Sequence, residues 1–218
     1  TGEPAPIAWP GRNWIARGLS DDRRIGFLNA SKPDWLGIWE AGSTSQPTWF
    51  PTPGQGTNWL SKGRYLDARG TVFLHVQTLG SGDDHRTHVH LHDLASNTLL
   101  LSSRLEFVEP EAFALSPTGD AFAYANPRTG ELILHRGPDF LPTATNYFGV
   151  IKAMAFSPDG KWLATGGEEE QLRIHAATDL RVSRSFRGHT SQISALIWNT
   201  DGSRIASGDS AGEVRLWN

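Results

Sequence analysis

The chain has 218 residues, a formal net charge of −3, no cysteine and nine tryptophans. That charge balance offers no basic field for a nucleic-acid partner, and the absence of thiols excludes disulfides and thiolate-bound metal. No apolar run approaches the roughly 18 residues of a membrane-spanning helix, and the opening residues do not read as a signal peptide. A cytoplasmic location, without nucleic-acid or membrane partners, is the expectation. Thr1 rather than Met opens the sequence, which suggests an excised part of a longer polypeptide, covalently joined to other domains.

Residues 1–11 are rich in Pro and Gly but carry Ile7-Ala8-Trp9, enough for one short strand. From Asn13 the pattern becomes strand, turn, strand. Trp14-Ile15-Ala16 leads to a turn at Ser20-Asp21-Asp22, then come Ile25-Gly26-Phe27-Leu28, Leu36-Gly37-Ile38-Trp39 and Pro47-Thr48-Trp49-Phe50. Asn58-Trp59-Leu60 repeats Asn13-Trp14-Ile15 at a distance of 45 residues. It is followed by Thr71 to Val76, Val89 to Asp93 and Leu99 to Leu101. No stretch reads as a helix of three turns.

The repeat is clearest from residue 107 onward. Phe113-Ala114-Leu115-Ser116-Pro117-Thr118-Gly119 is echoed by Ala155-Phe156-Ser157-Pro158-Asp159-Gly160 and by Ile197-Trp198-Asn199-Thr200-Asp201-Gly202. The turns start at Ser116, Ser157 and Asn199, giving spacings of 41 and 42 residues. Each is followed by a strand of small residues and then by Leu132-Ile133-Leu134-His135, Leu172-Arg173-Ile174-His175 or Val214-Arg215-Leu216-Trp217. Alternation of apolar and polar residues between Gly, Asp and Asn turns is the period-two signature of half-buried strands. A self-similarity of about 40–45 residues built from four short strands is what a propeller blade requires.

Gly188-His189 opening the last phrase and Trp217-Asn218 closing it resemble a WD repeat. That resemblance implies an all-β fold, a β-propeller of five four-stranded blades at about 12–53, 54–104, 105–145, 146–186 and 187–218. The last blade lacks its outer strand. By the same resemblance the N-terminal segment 5–10 would complete it, closing the ring and protecting an open sheet edge. Seven blades are more usual in such proteins, so the rival is membership of a larger ring.

In WD repeats a His, a hydroxyl, a Trp and an acid form a hydrogen-bonded chain through the blade. His189, Ser207 and Trp217 match three positions, and the acid slot falls on Ala211, leaving this network one member short. In the preceding blade Thr165 and Glu169 fill the hydroxyl and acid slots, but Gly149 is not followed by His. Buried imidazole, hydroxyl and indole groups all need partners, so a structural role is expected for this Ser–His pair rather than hydrolase chemistry. His92, His135 and His175 stand where Trp217 stands and are read as structural. His88, His90 and His92 share one strand face, with Asp83, Asp84 and His85 before them. A Zn²⁺ or Ni²⁺ site there is conceivable, but a polar strand face is the simpler reading, and no metal or cofactor is expected.

Six tryptophans lie before residue 60. Trp14 and Trp59 open inner strands, at the slots holding Ile151 and Ile193 later. With Glu109 and Gln192 they form a candidate partner-binding rim, the alternative being that they are core. Phosphate-loop, dinucleotide, nucleophile-elbow and His-Glu-x-x-His motifs are missing. The expected function is therefore a non-catalytic protein–protein interaction platform, a recognition or sensor module of a larger signalling protein. A carbohydrate-binding propeller using rim tryptophans is the alternative, and a carboxylate-pair enzyme is a more distant one.

Overall fold

The structure, a computed structural model, describes the backbone of 14–19, 24–29, 32–40, 48–51, 59–68, 71–79, 86–96, 98–105 and 112–218. Side chains are described throughout 112–218 and, before that, at 65, 67–68, 71–76, 87–96 and 98–105.

Three turns show how the repeat is built. Side-chain oxygens of Ser116, Ser157 and Asn199 each accept the backbone N–H five residues on, from Ala121 at 3.1 Å, Trp162 at 3.0 Å and Arg204 at 2.9 Å. The glycine three residues on donates its N–H to the carbonyl of the same residue, at 3.0, 2.9 and 3.1 Å. Gly119, Gly160 and Gly202 have φ of 72°, 70° and 72°, a conformation glycine reaches without a Cβ penalty.

Each sheet is an antiparallel meander in chain order. The first contains β1 (Trp14–Leu19), β2 (Arg24–Asn29), β3 (Lys32–Glu40) and β4 (Thr48–Pro51). The second contains β5 (Trp59–Leu66), β6 (Val72–Leu79), β7 (Arg86–Asp93) and β8 (Thr98–Leu105). The third holds β9 (Phe113–Leu115), β10 (Ala121–Ala125), β11 (Glu131–Arg136) and β12 (Leu141–Tyr147). The fourth holds β13 (Ile151–Phe156), β14 (Trp162–Gly167), β15 (Gln171–Ala176) and β16 (Val182–Arg187). The last has three strands, β17 (Ile193–Trp198), β18 (Ile205–Asp209) and β19 (Val214–Trp217).

First strands pack in succession, β1 beside β5, β5 beside β9, β9 beside β13 and β13 beside β17. The cores lie between neighbouring sheets. Val76 and Leu91 meet Phe113 and Phe122, Ala123 and Leu132 meet Ile151 and Leu163, and Leu172 and Ile174 meet Ile193 and Ile205. Leu132, Leu163 and Leu172 are fully buried, each contributing about 1.5–3 kcal/mol relative to exposure. The small residues of β10 and β14 let adjacent sheets approach.

The architecture is thus all-β, in four-stranded antiparallel sheets. The segment 5–10, expected to complete the last sheet, lies outside the described residues. Among the described residues β19 pairs only with β18, and no closed ring is present. Val214 and Leu216 stand 76% and 61% exposed.

Candidate interaction surface and the blade network

The last sheet carries a complete chain of buried polar groups. The Trp217 indole Nε1–H donates to Ser207 Oγ at 2.8 Å, Ser207 Oγ lies 2.6 Å from His189 Nε2, and His189 Nδ1 lies 2.9 Å from Asp209 Oδ2. An indole N–H only donates, so Ser207 accepts from it and gives its own proton to Nε2. The proton on Nδ1 then goes to Asp209. The other carboxylate oxygen of Asp209 accepts the N–H groups of Ala211 at 3.0 Å and Glu213 at 2.9 Å. Burial alone would raise the Asp209 carboxyl, but these donors and the His189 ring outweigh it and hold it below the usual range.

This corrects the expectation at Ala211: the acid stands two residues earlier, at Asp209, and nothing is missing from the chain of bonds. The order Ser–His–Asp has the distances of a hydrolytic triad, yet Ser207 is buried and its oxygen is engaged by Trp217. A nucleophile needs an open approach to the reacting atom, and here that space is filled. His189, Asp209 and Glu213 also bring possible metal-ligand atoms within 4.8 Å of one another. His189 Nδ1 is already committed to Asp209, however, and Glu213 pairs with Arg215 at 2.6 Å.

The fourth sheet uses different partners. Thr165 Oγ1 lies 2.7 Å from His175 Nε2, and His175 Nδ1 donates to the Leu180 carbonyl at 3.2 Å. Glu169 does not join them, a second correction: it is exposed and pairs with Arg173. His135 repeats the arrangement of His175, with Nδ1 donating to the Phe140 carbonyl at 2.7 Å and its ring stacked on Phe122 at 4.6 Å. Phe140 and Leu180 have φ of 46° and 60°, left-handed positions in the turns from which their carbonyls reach the imidazoles. A recurring His-x-x-x-Asp followed by an apolar residue (135–140 and 175–180) carried that signal in the sequence. Burial pushes His175 down to about 4 and lowers His135, so both rings are neutral at pH 7.

On the second sheet, His75 pairs in register with His90, and His88 and His90 lie in parallel with ring centroids 6.1 Å apart. Both ring nitrogens of His90 are buried without a hydrogen-bond partner, and burial, with His92 and His88 adding to it, pushes the group down to about 4. Two imidazoles on one tetrahedral ion at about 2.0–2.1 Å would bring their centroids closer than this, so the His88, His90, His92 face does not present a formed metal site. Asp83, Asp84 and His85 lie outside the described residues.

Of the candidate rim, Trp14 and Trp59 open β1 and β5, but their side chains are not among those described, and Glu109 lies outside the described residues. The corresponding Ile151 and Ile193 are 3% and 0% exposed, packed between sheets rather than lining a rim. Gln192 is half-buried in the loop before β17 and accepts the Ser210 N–H at 2.9 Å through its carbonyl. A cleft of about 410 Å³ between the fourth and last sheets was not anticipated. Trp162, Phe186, Trp198 and Trp217 wall it, with Arg184 and Arg204 among its lining. Trp198 is fixed there by donating Nε1–H to the Ala155 carbonyl at 3.0 Å.

Stacked antiparallel sheets joined by their first strands, with a His–Ser–Trp–Asp network inside one of them, define a β-propeller-like protein. The comparisons with known proteins agree. The profile of the WD domain, G-beta repeat, matches residues 142–175 and 180–218. Serine-threonine kinase receptor-associated protein of Gallus gallus is 34% identical over 70 residues, 32% of this chain and 20% of that protein. Protein HIRA of Zea mays is 26% identical over 95 residues, 36% of this chain and 10% of that protein. Periodic tryptophan protein 2 homolog of Caenorhabditis elegans is 24% identical over 165 residues, 72% of this chain and 18% of that protein. The matched stretches thus span a fifth or less of these relatives. In a crystal structure of the mitotic checkpoint complex, one chain matches the whole of this one and 68% of itself, with a TM-score of 0.68 at 14% identity. Over its last two sheets the chain is thus similar to WD-repeat proteins.

Proposed function

We propose that the chain is a non-catalytic platform for protein partners, serving as the recognition or sensor module of a larger, multidomain cytoplasmic protein in signalling or regulation. No cofactor enters this reading. The observation that carries it is the cleft between the last two sheets: Trp and Arg, the residue types most enriched at binding hot spots, converge there on a fixed scaffold. The Ser207–His189–Asp209 chain supports the non-catalytic part, because its serine is sealed by Trp217. Trp14, Trp59, Glu109 and Gln192 remain the second candidate face, on the side where the first strands begin. The three-stranded last sheet supports completion by residues 5–10, but five-blade closure also requires that Val214 and Leu216 become covered.

The cleft also favours a second reading, sugar binding, since three of its walls are indoles. One experiment separates the two. The parent chain, a Trp14→Ala/Trp59→Ala variant and an Arg184→Glu/Arg204→Glu variant, matched for melting temperature, are used as baits in native lysate. The platform reading expects a specific protein held by the parent and lost from one variant, which locates the face. Retention of the parent on a glycan array with no protein captured would overturn it.

A further inference from the structure

His90 is 4% exposed, and neither of its ring nitrogens has a hydrogen-bond partner. A neutral imidazole carries one donor and one acceptor. Burying both unpaired is costly, and native structures ordinarily relieve such groups with water or an ion. Nε2 of His92 is also buried without a partner. The two rings lie on one face of β7, where alternate residues point the same way.

Strand register adds a third ring that the spacing of His88, His90 and His92 does not reveal. His75 of β6 lies directly opposite His90, and Phe73 opposite His92. Directly opposite residues share a face of the sheet, so His75, His88 and His90 stand together. Ring centroids are 6.4 Å apart for His75 and His90 and 6.1 Å apart for His88 and His90. The other face of the same two strands is locked. Leu74, Val76, Val89 and Leu91 are fully buried in the core shared with the third sheet, and β7 is paired along both edges. The three backbone positions are therefore fixed, while each ring keeps rotation about χ2, a broad torsion. His75 is fully buried and His88 half-buried, so solvent reaches the group at its His88 corner.

An ion bound by imidazoles at about 2.0–2.1 Å lies about 3 Å from each ring centre, which sets two such centres about 5 Å apart. The rings stand about 1 Å wider than that. Turning and tilting of the side chains closes such a gap without moving the strands. A set of three imidazole ligands suits zinc, nickel or copper rather than magnesium or calcium. We propose that His75, His88 and His90 close on one divalent ion of the zinc, nickel and copper class, with water in the remaining position. The ion would tie β6 to β7 and satisfy His90. This goes beyond the platform reading and does not depend on it: either could fail alone.

The test is thermal melting of the chain in chelator and in saturating Zn²⁺, beside His90→Phe, His88→Gln and Glu213→Gln. The last variant alters the other group of candidate ligands, His189, Asp209 and Glu213. Zn²⁺ should raise the melting temperature of the parent and of Glu213→Gln by about 5 °C or more. His90→Phe and His88→Gln should lose that rise; His88, being half-buried, keeps the test open should His90→Phe fail to fold. Co²⁺ in place of Zn²⁺ should give the parent the visible absorption of a tetrahedral site, and His88→Gln should lack it. No Zn²⁺ shift in the parent would overturn the proposal and leave water as the partner of His90. A shift retained by His88→Gln, or lost in Glu213→Gln, would also overturn it by placing the ion elsewhere.

Discussion

Trp217 sets the direction of the side-chain bonds that run to Asp209, because its indole can only donate and the buried atoms beyond it must then pass their protons toward that carboxylate. Removing the end of that line leaves a buried imidazole N–H and two backbone N–H groups without an acceptor. Asp209→Ala is accordingly expected to lower stability by about 1–3 kcal/mol in urea unfolding, while Ala211→Asp stays within about 0.5 kcal/mol. Equal effects would place the acid at the wrong residue. His90 and His175 make stability depend on pH in the same sense as the depressed Asp209 carboxyl, over a higher window. Both are pushed down to about 4, against about 6.5 in an unfolded chain, so the unfolded state binds more protons and stability rises with pH. Their contribution is complete above about pH 6.5 and is lost as pH falls toward 4. Urea midpoints measured across that window should fall, and His90→Phe should make the fall shallower; an unchanged slope would contradict the assignment. The sequence showed His189, Ser207 and Trp217 by type and spacing. It did not show Asp209, because the acid is displaced by two residues and only the fold brings its carboxylate to the ring.

At the scale of the strand, small residues do the work that large ones do in an ordinary core. β14 ends in Gly166 and Gly167, and a Cβ on Gly167 would fall 2.0 Å from the Val150 carbonyl oxygen and 2.9 Å from Ile151 Cα. Both neighbours are backbone, and β13 already shifts register between Ile151 and Ala153. Gly167→Ala is thus expected to cost about 1–3 kcal/mol through overpacking, read as a lowered urea midpoint. A neutral result would mean that β13 moves freely away from β14. The spacing of Ser116, Ser157 and Asn199 was legible because each turn needs an acceptor side chain and, three residues on, a glycine at positive φ. Closure of the last sheet was less legible. Val214-Arg215-Leu216-Trp217 has the same pattern as Leu172-Arg173-Ile174-His175, and sequence alone does not say which of the two has a neighbour.

At the scale of the molecule, the described sheets hold one another by packing between faces. The period and the closing Trp or His slots made that architecture readable. The aromatic cleft was not, because Trp162, Trp198 and Trp217 come from different strands of two sheets and are far apart along the chain. We propose that this scaffold presents surfaces for binding and that its buried Ser–His–Asp line is a structural tie. This is tested most directly by treating the folded chain with a fluorophosphonate, a reagent for activated serines, and melting the parent beside Ser207→Ala. No labelling at Ser207 and a loss of about 1–3 kcal/mol in the variant are expected. Stoichiometric labelling at Ser207, abolished by the substitution without a change in melting temperature, would contradict it.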